Sequence, residues 1–331
     1  MKVFSNVLFL LIVNLVLFLL TFILVEGVFR VKGIPYSRHG YIPNENSFAI
    51  FDPELGWSYI PNKSTIHKVG GEKIRKPVHF ERNAIRVPRS GFQFDNQRPS
   101  VLFIGGSFTM GHGLSYEESF VGTFDAFDEV KFQVVNLGVQ GYGTDQALLA
   151  LKRHMTKFNV KIVVYTFIED HILRNGNYDR RMLIPTARFL GTKPQFTLTN
   201  SKELNLKRKP LLYKDYIHSY LIDFLKIRFS TIWGTFPPYP EDLTKSLILE
   251  MKRYSNKHDA HFVVLNWRWS NNDYDALFQD LDVDVIDTME NALPGWGEMV
   301  ILGGVHPDAH ASDHAARLLL EYYRKKSLLI K

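Results

Sequence analysis

A serine, a histidine and several small residues occur at separated places where acyl-transfer chemistry would need them. Ser107 follows two glycines in Ser100-Val101-Leu102-Phe103-Ile104-Gly105-Gly106-Ser107-Phe108-Thr109-Met110-Gly111. A nucleophilic serine needs an exposed hydroxyl, a base within hydrogen-bond reach and N–H donors for the oxyanion that develops. His306, in Gly303-Gly304-Val305-His306-Pro307-Asp308, is a candidate base. The run Asn136-Leu137-Gly138-Val139-Gln140-Gly141-Tyr142-Gly143 has glycines that let a backbone N–H come close to a ligand. Glu169-Asp170-His171 is a fourth cluster. Each has a plainer explanation. A serine after Gly-Gly is a common helix cap, and a single histidine before a helix is more often packed or capping. Their joint order favours the catalytic reading.

The elements that must carry these residues alternate. Ser100–Ile104 reads as a buried parallel strand stopped by Gly105-Gly106. Tyr116–Phe127 has helical spacing with Glu117 and Glu118 in its first turn. Phe132–Val139 is a second strand, Thr144–Phe158 a helix, and Val160–Ile168 a third strand. Leu243–His258 is helical, His261–Trp267 and Val283–Asp287 are strands, and Ala309–Leu329 closes the chain as a helix. Strands separated by helices predict an α/β fold with a parallel sheet covered on both faces. Every candidate group then falls at a strand's carboxyl end, where open α/β sheets keep their sites.

The chain has 331 residues, 45% hydrophobic, with a formal charge of +6 from 40 Lys+Arg and 34 Asp+Glu. The excess is modest and forms no long basic run, which argues against a nucleic-acid partner. There is no cysteine, so thiol nucleophiles, disulfides and cysteine-ligated metals are excluded. No cofactor is read from the sequence. His306, His310 and His314 recur at four-residue steps, but a solvated helix explains that spacing as well, and no metal is expected.

Phe4 to Val25 carries no charge, and residues 5–25 are long enough to span hydrocarbon. No small-residue cleavage site follows, so residues 1–30 read as an uncleaved transmembrane anchor. Asn14 reads as a packing or tolerated polar residue. Lys2 on one flank and Arg30 and Lys32 on the other nearly balance. A short N-terminal tail usually stays inside, which places the globular part on the periplasmic or extracytoplasmic side. Residues 31–99 are proline-rich and read as a collar. Residues 100–331 form the main domain, with an insertion at about 173–240 that is too long for an ordinary connection. Within it Tyr213, Tyr216, Tyr220, Phe224 and Ile227 predict a helix with one aromatic face. That face reads as packing on the domain, with a lid or a membrane-surface contact as the alternatives.

The ordered set Gly105-Gly106-Ser107-Phe108-Thr109, Asn136-Leu137-Gly138, Glu169-Asp170 and His306-Pro307 resembles the SGNH/GDSL hydrolase family. It looks most like membrane-anchored bacterial members, and the likeness covers roughly residues 50–326. The resemblance implies a flavodoxin-like three-layer α/β/α sandwich whose parallel sheet has about five strands. It implies Ser107 as nucleophile, His306 as base, and the Ser107 and Gly138 N–H groups as the oxyanion hole. Three positions depart from the family pattern. Gly106 replaces an aspartate that is not the triad acid. Glu169 stands where the family has an oxyanion-binding asparagine, so only its protonated form could donate. Gly303 stands where the family has its triad acid. Asp287, Asp308 and Asp170 are candidate substitutes, with Asp308 better explained as the cap of the last helix. The implied function is a membrane-anchored serine esterase acting on an O-acylated cell-envelope glycan or lipid. The alternatives are an O-acyltransferase using the same acyl-serine, or a non-catalytic binding or assembly protein on the same fold.

Overall fold

The apolar run that ends at Gly105 lies inside a sheet, beside the equally apolar run that ends at Phe167. A computed structural model of the chain describes residues 2–32, 48–69, 73–183, 190–233, 240–269, 275–301 and 304–328. The strands among them are β1 (Ala49–Asp52), β2 (Gly56–Tyr59), β3 (Ser64–Val69), β4 (Ile74–Phe80), β5 (Arg86–Val87), β6 (Pro99–Gly105), β7 (Gln133–Asn136), β8 (Asn159–Phe167), β9 (Gln195–Leu198), β10 (Leu204–Arg208), β11 (His261–Asn266) and β12 (Asp284–Asp287). Eight of them form one mixed sheet in the order β12-β11-β8-β6-β7-β5-β4-β3. From β12 to β7 every pairing is parallel; β5, β4 and β3 extend the sheet antiparallel.

The five parallel strands lie in the flavodoxin-like order, with the first in sequence, β6, between the second and the third. The chain therefore leaves β6 for β7 on one side and later reaches β8 on the other. That reversal makes the carboxyl end of β6 the topological switch point, and Ser107 follows it directly. The three antiparallel strands come from the stretch expected as a collar.

Helices cover both faces. Phe120–Asp125 and Ala309–Lys325 pack on one, where Phe103 meets Phe120 and Phe124 edge-on at 5.7 and 5.5 Å. Thr144–His154 and Glu241–Lys257 pack on the other. Asp308 caps the last helix by accepting from the His310 and Ala311 N–H groups at 2.9 and 3.0 Å, a contact worth about 1 kcal/mol. Strands β9 and β10 pair as a hairpin, and Lys193 just before β9 makes a fully buried ion pair with Asp145.

The chain divides into two compact units, and the sheet belongs to the larger, made of Pro43–Tyr178, Lys193–Pro210 and Pro237–Lys331. The smaller holds Met1–Ile42, Asp179–Thr192 and Leu211–Phe236. Its helix Lys2–Lys32 contains the one stretch among the described residues long and apolar enough to cross a membrane, Asn6–Lys32. At 27 residues that stretch is about 40 Å long. Asn14 and Thr21 donate to the Leu10 and Leu17 carbonyls of the helix itself, which satisfies both polar groups. The expected one-faced aromatic helix is instead two helices, Tyr213–Tyr216 and Tyr220–Trp233. The break has a cause: the Glu26 carboxylate accepts from Ser219 Oγ and from the Tyr220 and Leu221 N–H groups, which starts a new helix there. Arg181, fully buried, pairs with both Asp179 and Asp223 and holds the second helix in place.

Candidate active site

Gly105 ends β6 at φ +151°, a conformation that disfavours side chains. A Cβ there would also stand 3.0 Å from the Thr166 carbonyl oxygen. Ser107 then opens a single helical turn, Ser107–Met110, closed by Gly111 in the left-handed region. The Gly111 and His112 N–H groups both donate to the Ser107 carbonyl at 3.0 Å. Two braces fix this turn. Asn136 Nδ2 donates to the Thr109 carbonyl at 2.9 Å. The guanidinium of Arg86, from β5, donates to the Gly111 and Leu114 carbonyls at 3.0 and 2.7 Å. Arg86 is fully buried, and burial lowers its pKa to about 10. The added antiparallel strands thus hold the serine turn from behind.

His306 is carried by a loop that folds back on itself. Its carbonyl accepts from Ile301 N–H at 2.9 Å, and Asp308 N–H donates to the Met299 carbonyl at 3.0 Å. This brings the His306 Nε2 to 2.9 Å from Ser107 Oγ. Two residues 199 positions apart in sequence thus meet within hydrogen-bond reach. Among the described residues no carboxylate lies within 4.0 Å of either ring nitrogen of His306.

The substitute acids are engaged elsewhere. Asp287 binds the Arg268 guanidinium and the Met289 N–H. Asp308 caps the last helix. Asp170 pairs with Arg174 at 2.9 Å and is largely exposed. Glu169 is also exposed and precedes the helix Asp170–Gly176. Gly303 lies outside the described residues. Of the other histidines on the expected helical face, His310 sits near Asp308 and His314 near the Thr288 carbonyl.

His306 is packed against rings instead. Its centre is 4.2 Å from that of His112 and 5.5 Å from that of Phe108. His112 in turn meets His67 edge-on at 4.6 Å. Burial, then the neighbouring charges of His112 and Arg174, push the His306 pKa down to about 3. Burial does the same to His112, at about 4, and to His67, at about 3. All three imidazoles are therefore neutral at neutral pH. For His306 that leaves a lone pair for the Ser107 hydroxyl proton.

The N–H groups expected to bind an oxyanion are placed less simply. The Gly138 N–H donates to Asn136 Oδ1 at 2.9 Å, so it is committed within the fold. A Cβ at Gly138 would stand 2.3 Å from Met110 N, which ties this glycine to close backbone packing. Gly141 lies in the tight turn Val139–Tyr142 at φ +82°. That turn is pinned by Trp57 Nε1 donating to the Gln140 carbonyl at 2.9 Å and by Tyr142 OH donating to the Trp57 carbonyl at 2.6 Å. The Tyr142 carbonyl oxygen would be 3.3 Å from a Cβ on Gly106, so the turn borders the serine. Arg174, nearly buried, donates to that carbonyl at 2.8 Å, with Nη1 3.4 Å from the same Cβ position. His67, Arg174 and Arg86 all escape a reading of sequence. Only Arg174 leaves a local signal, its four-residue spacing from Asp170.

No family model and no curated protein matches this chain. Solved structures similar to it include TesA, at 12% identity over 68% of this chain and 98% of that one, with a TM-score of 0.40. A GDSL-like lipase from Bacteroides thetaiotaomicron is similar at 12% identity over 69% and 88%, TM-score 0.39. A family 3 carbohydrate esterase of Clostridium thermocellum is similar at 11% identity over 70% and 98%, TM-score 0.40.

Proposed function

We propose that the chain is a membrane-tethered serine esterase acting on an O-acylated glycan or lipid of the cell envelope. The observation that carries this reading is the 2.9 Å hydrogen bond between Ser107 Oγ and His306 Nε2. The hydroxyl donates and the neutral imidazole accepts, so the ring keeps its own proton on Nδ1. As Ser107 Oγ attacks the ester carbonyl, its proton passes to Nε2. The same proton then goes to the departing alcohol oxygen, leaving an acyl-serine. Water attacks next, and His306 takes its proton and returns it to Ser107 Oγ as the acyl–Oγ bond breaks, which frees the carboxylic acid and restores the serine. A sugar hydroxyl in place of water would make the protein an acyltransferase. The Ser107 N–H begins a helical turn and lacks a partner within it. It is assigned as one oxyanion donor. The second is assigned to the Gly141 N–H rather than that of Gly138, and the buried Arg174 charge adds to the field that favours the oxyanion.

One observation favours the non-catalytic alternative. No described carboxylate stabilises the imidazolium that forms, and burial opposes it. A triad acid orients the imidazole and stabilises its charge, so a dyad without one is slower. Labelling of the full-length protein with a serine-directed fluorophosphonate separates the two readings. The esterase requires labelling at Ser107 that is lost in Ser107→Ala and reduced at least about a hundredfold in His306→Ala. No labelling of the wild type supports a binding protein. Turnover of an acyl ester that persists in Ser107→Ala would remove Ser107 from the mechanism.

The domain is placed on the extracytoplasmic side. The chain has no cysteine, so Ser201→Cys in the exposed turn between β9 and β10 is a clean reporter. Labelling of intact cells by a membrane-impermeant maleimide is the expected result. Labelling only after lysis reverses the orientation.

A further inference from the structure

The helix Tyr220–Trp233 is amphipathic in the inverse sense. Its inner side holds Asp223 in the ion pair with Arg181, together with buried Ile227. Its outer side exposes Ile222 at 57%, Leu225 at 38% and Phe229 at 41%. At 100° per residue these three fall within about 60° of one another, a single apolar stripe. Lys226 and Arg228, both exposed, flank the stripe on either side. An apolar stripe bordered by cations is the pattern of a helix seated at the headgroup level of an anionic bilayer. Scattered exposed apolar residues need no explanation, whereas an aligned and cation-flanked set does.

The helix also starts at the right depth. Glu26, just past the apolar run that ends at Val25, accepts from its first two N–H groups. Arg30 joins the same junction by donating to the His218 carbonyl and to Glu26. Phe29 meets Phe224 edge-on at 5.4 Å one turn further on. If residues 5–25 span hydrocarbon, Tyr220 and Leu221 lie where hydrocarbon gives way to headgroups. Ile222 and Leu225 are within about one turn of that level. The headgroup zone is about 5–7 Å deep on each side.

We infer that the outer face of Tyr220–Trp233 is a membrane-docking surface whose occupant is the interfacial layer of the same anionic bilayer that the N-terminal helix spans. Ile222 and Leu225 enter the acyl boundary, Phe229 lies further out on the same stripe, and Lys226 and Arg228 meet lipid phosphates. This inference rests on the spanning role of the N-terminal helix, so the test measures both. Full-length protein is reconstituted into phosphatidylcholine–phosphatidylglycerol vesicles with a nitroxide at a single introduced cysteine. The positions are Ile222→Cys, Leu225→Cys, Phe229→Cys, Leu17→Cys in the apolar helix, and Ser201→Cys as the aqueous control. Exposure of each site to dissolved oxygen is compared with exposure to a polar nickel chelate.

The expected result is oxygen-dominated relaxation at 222 and 225, an intermediate value at 229, and chelate-dominated relaxation at 201. Aqueous values at 222 and 225 with Leu17→Cys in lipid would overturn the docking surface alone. An aqueous value at Leu17→Cys would overturn the span and the docking surface with it. Dipolar broadening between labels at 222 or 225 that vanishes on dilution with unlabelled protein would assign the stripe to a second copy and overturn the proposal. All three docking positions are exposed, and an unfolding transition matching wild type confirms that each labelled variant is folded.

Discussion

His306, the proposed base, lies beside two other imidazoles and without a described carboxylate, and this sets how the proposed activity should respond to pH. A base acts in its deprotonated form. A histidine at the ordinary pKa of about 6.5 loses about tenfold in rate for each pH unit below it. His306 is held down to about 3, by burial first and then by the charges of His112 and Arg174. The expected kcat/KM for an acyl ester is therefore level from about pH 8 to pH 5, with no decline centred near 6.5. A clear acid limb near 6.5 would assign the proton transfer to another group. Arg174 supplies a second prediction at this scale. Arg174→Lys keeps a positive charge but cannot reproduce both bonds, to the Tyr142 carbonyl and to Asp170. Its kcat should fall about ten- to a hundredfold with KM little changed, because an oxyanion exists only in the transition state. A rise in KM alone would make Arg174 a substrate-binding group.

The serine turn, the Gly138 turn and strand β7 behave as one braced element. Asn136 links them by donating to the Thr109 carbonyl and accepting from the Gly138 N–H. Gly138→Ala would place a Cβ 2.3 Å from Met110 N and 2.6 Å from the Thr109 carbonyl carbon. Backbone cannot yield there as a side chain can, so the variant should lose several kcal/mol, within about 2–4. Urea unfolding checks this, and an unchanged midpoint would mean that the turn is free to move. This element also marks where sequence stops being informative. The strands, the helices and the serine at a strand end were legible because hydrophobic period and Gly-Gly are local signals. Asp308 as a helix cap was legible for the same reason. The oxyanion role expected of Gly138 comes from the family resemblance, and no local signal shows that Asn136 Oδ1 accepts from its N–H in the fold. Arg86 and His67 were invisible because strands β3 to β5 reach the sheet from a proline-rich stretch with no helix-length pattern. The break at Ser219 was missed because its cause, Glu26, lies 193 residues away.

Among the described residues, burial lowers the pKa of five histidines: His67, His112, His154 and His306, to about 3, 4, 3 and 3, and His261 as well. In the unfolded chain each would titrate at about 6.5. Between that value and the folded one, the unfolded state binds more protons than the folded state. Stability therefore rises with pH through this window and is lost as pH falls from about 6.5 towards 4. Each such histidine contributes up to about 1.4 kcal/mol per pH unit. Asp52 acts in the same direction at lower pH. Its pKa stays lowered in spite of burial, because Arg153 and the Leu55 and Glu54 N–H groups bind it. Its contribution is present above the unfolded carboxylate value and lost as pH falls below it. Acid should thus weaken the fold well before the carboxylates titrate. The urea midpoint of the detergent-solubilised protein is expected to fall steeply between about pH 6.5 and pH 5 and to be nearly level above 7. His154 is the position at which to test the cause, because it takes no part in the proposed chemistry. His154→Leu should reduce the slope by about one proton while leaving ester turnover intact. A midpoint independent of pH from about 7 to 5 would mean that these rings are not held neutral by the fold.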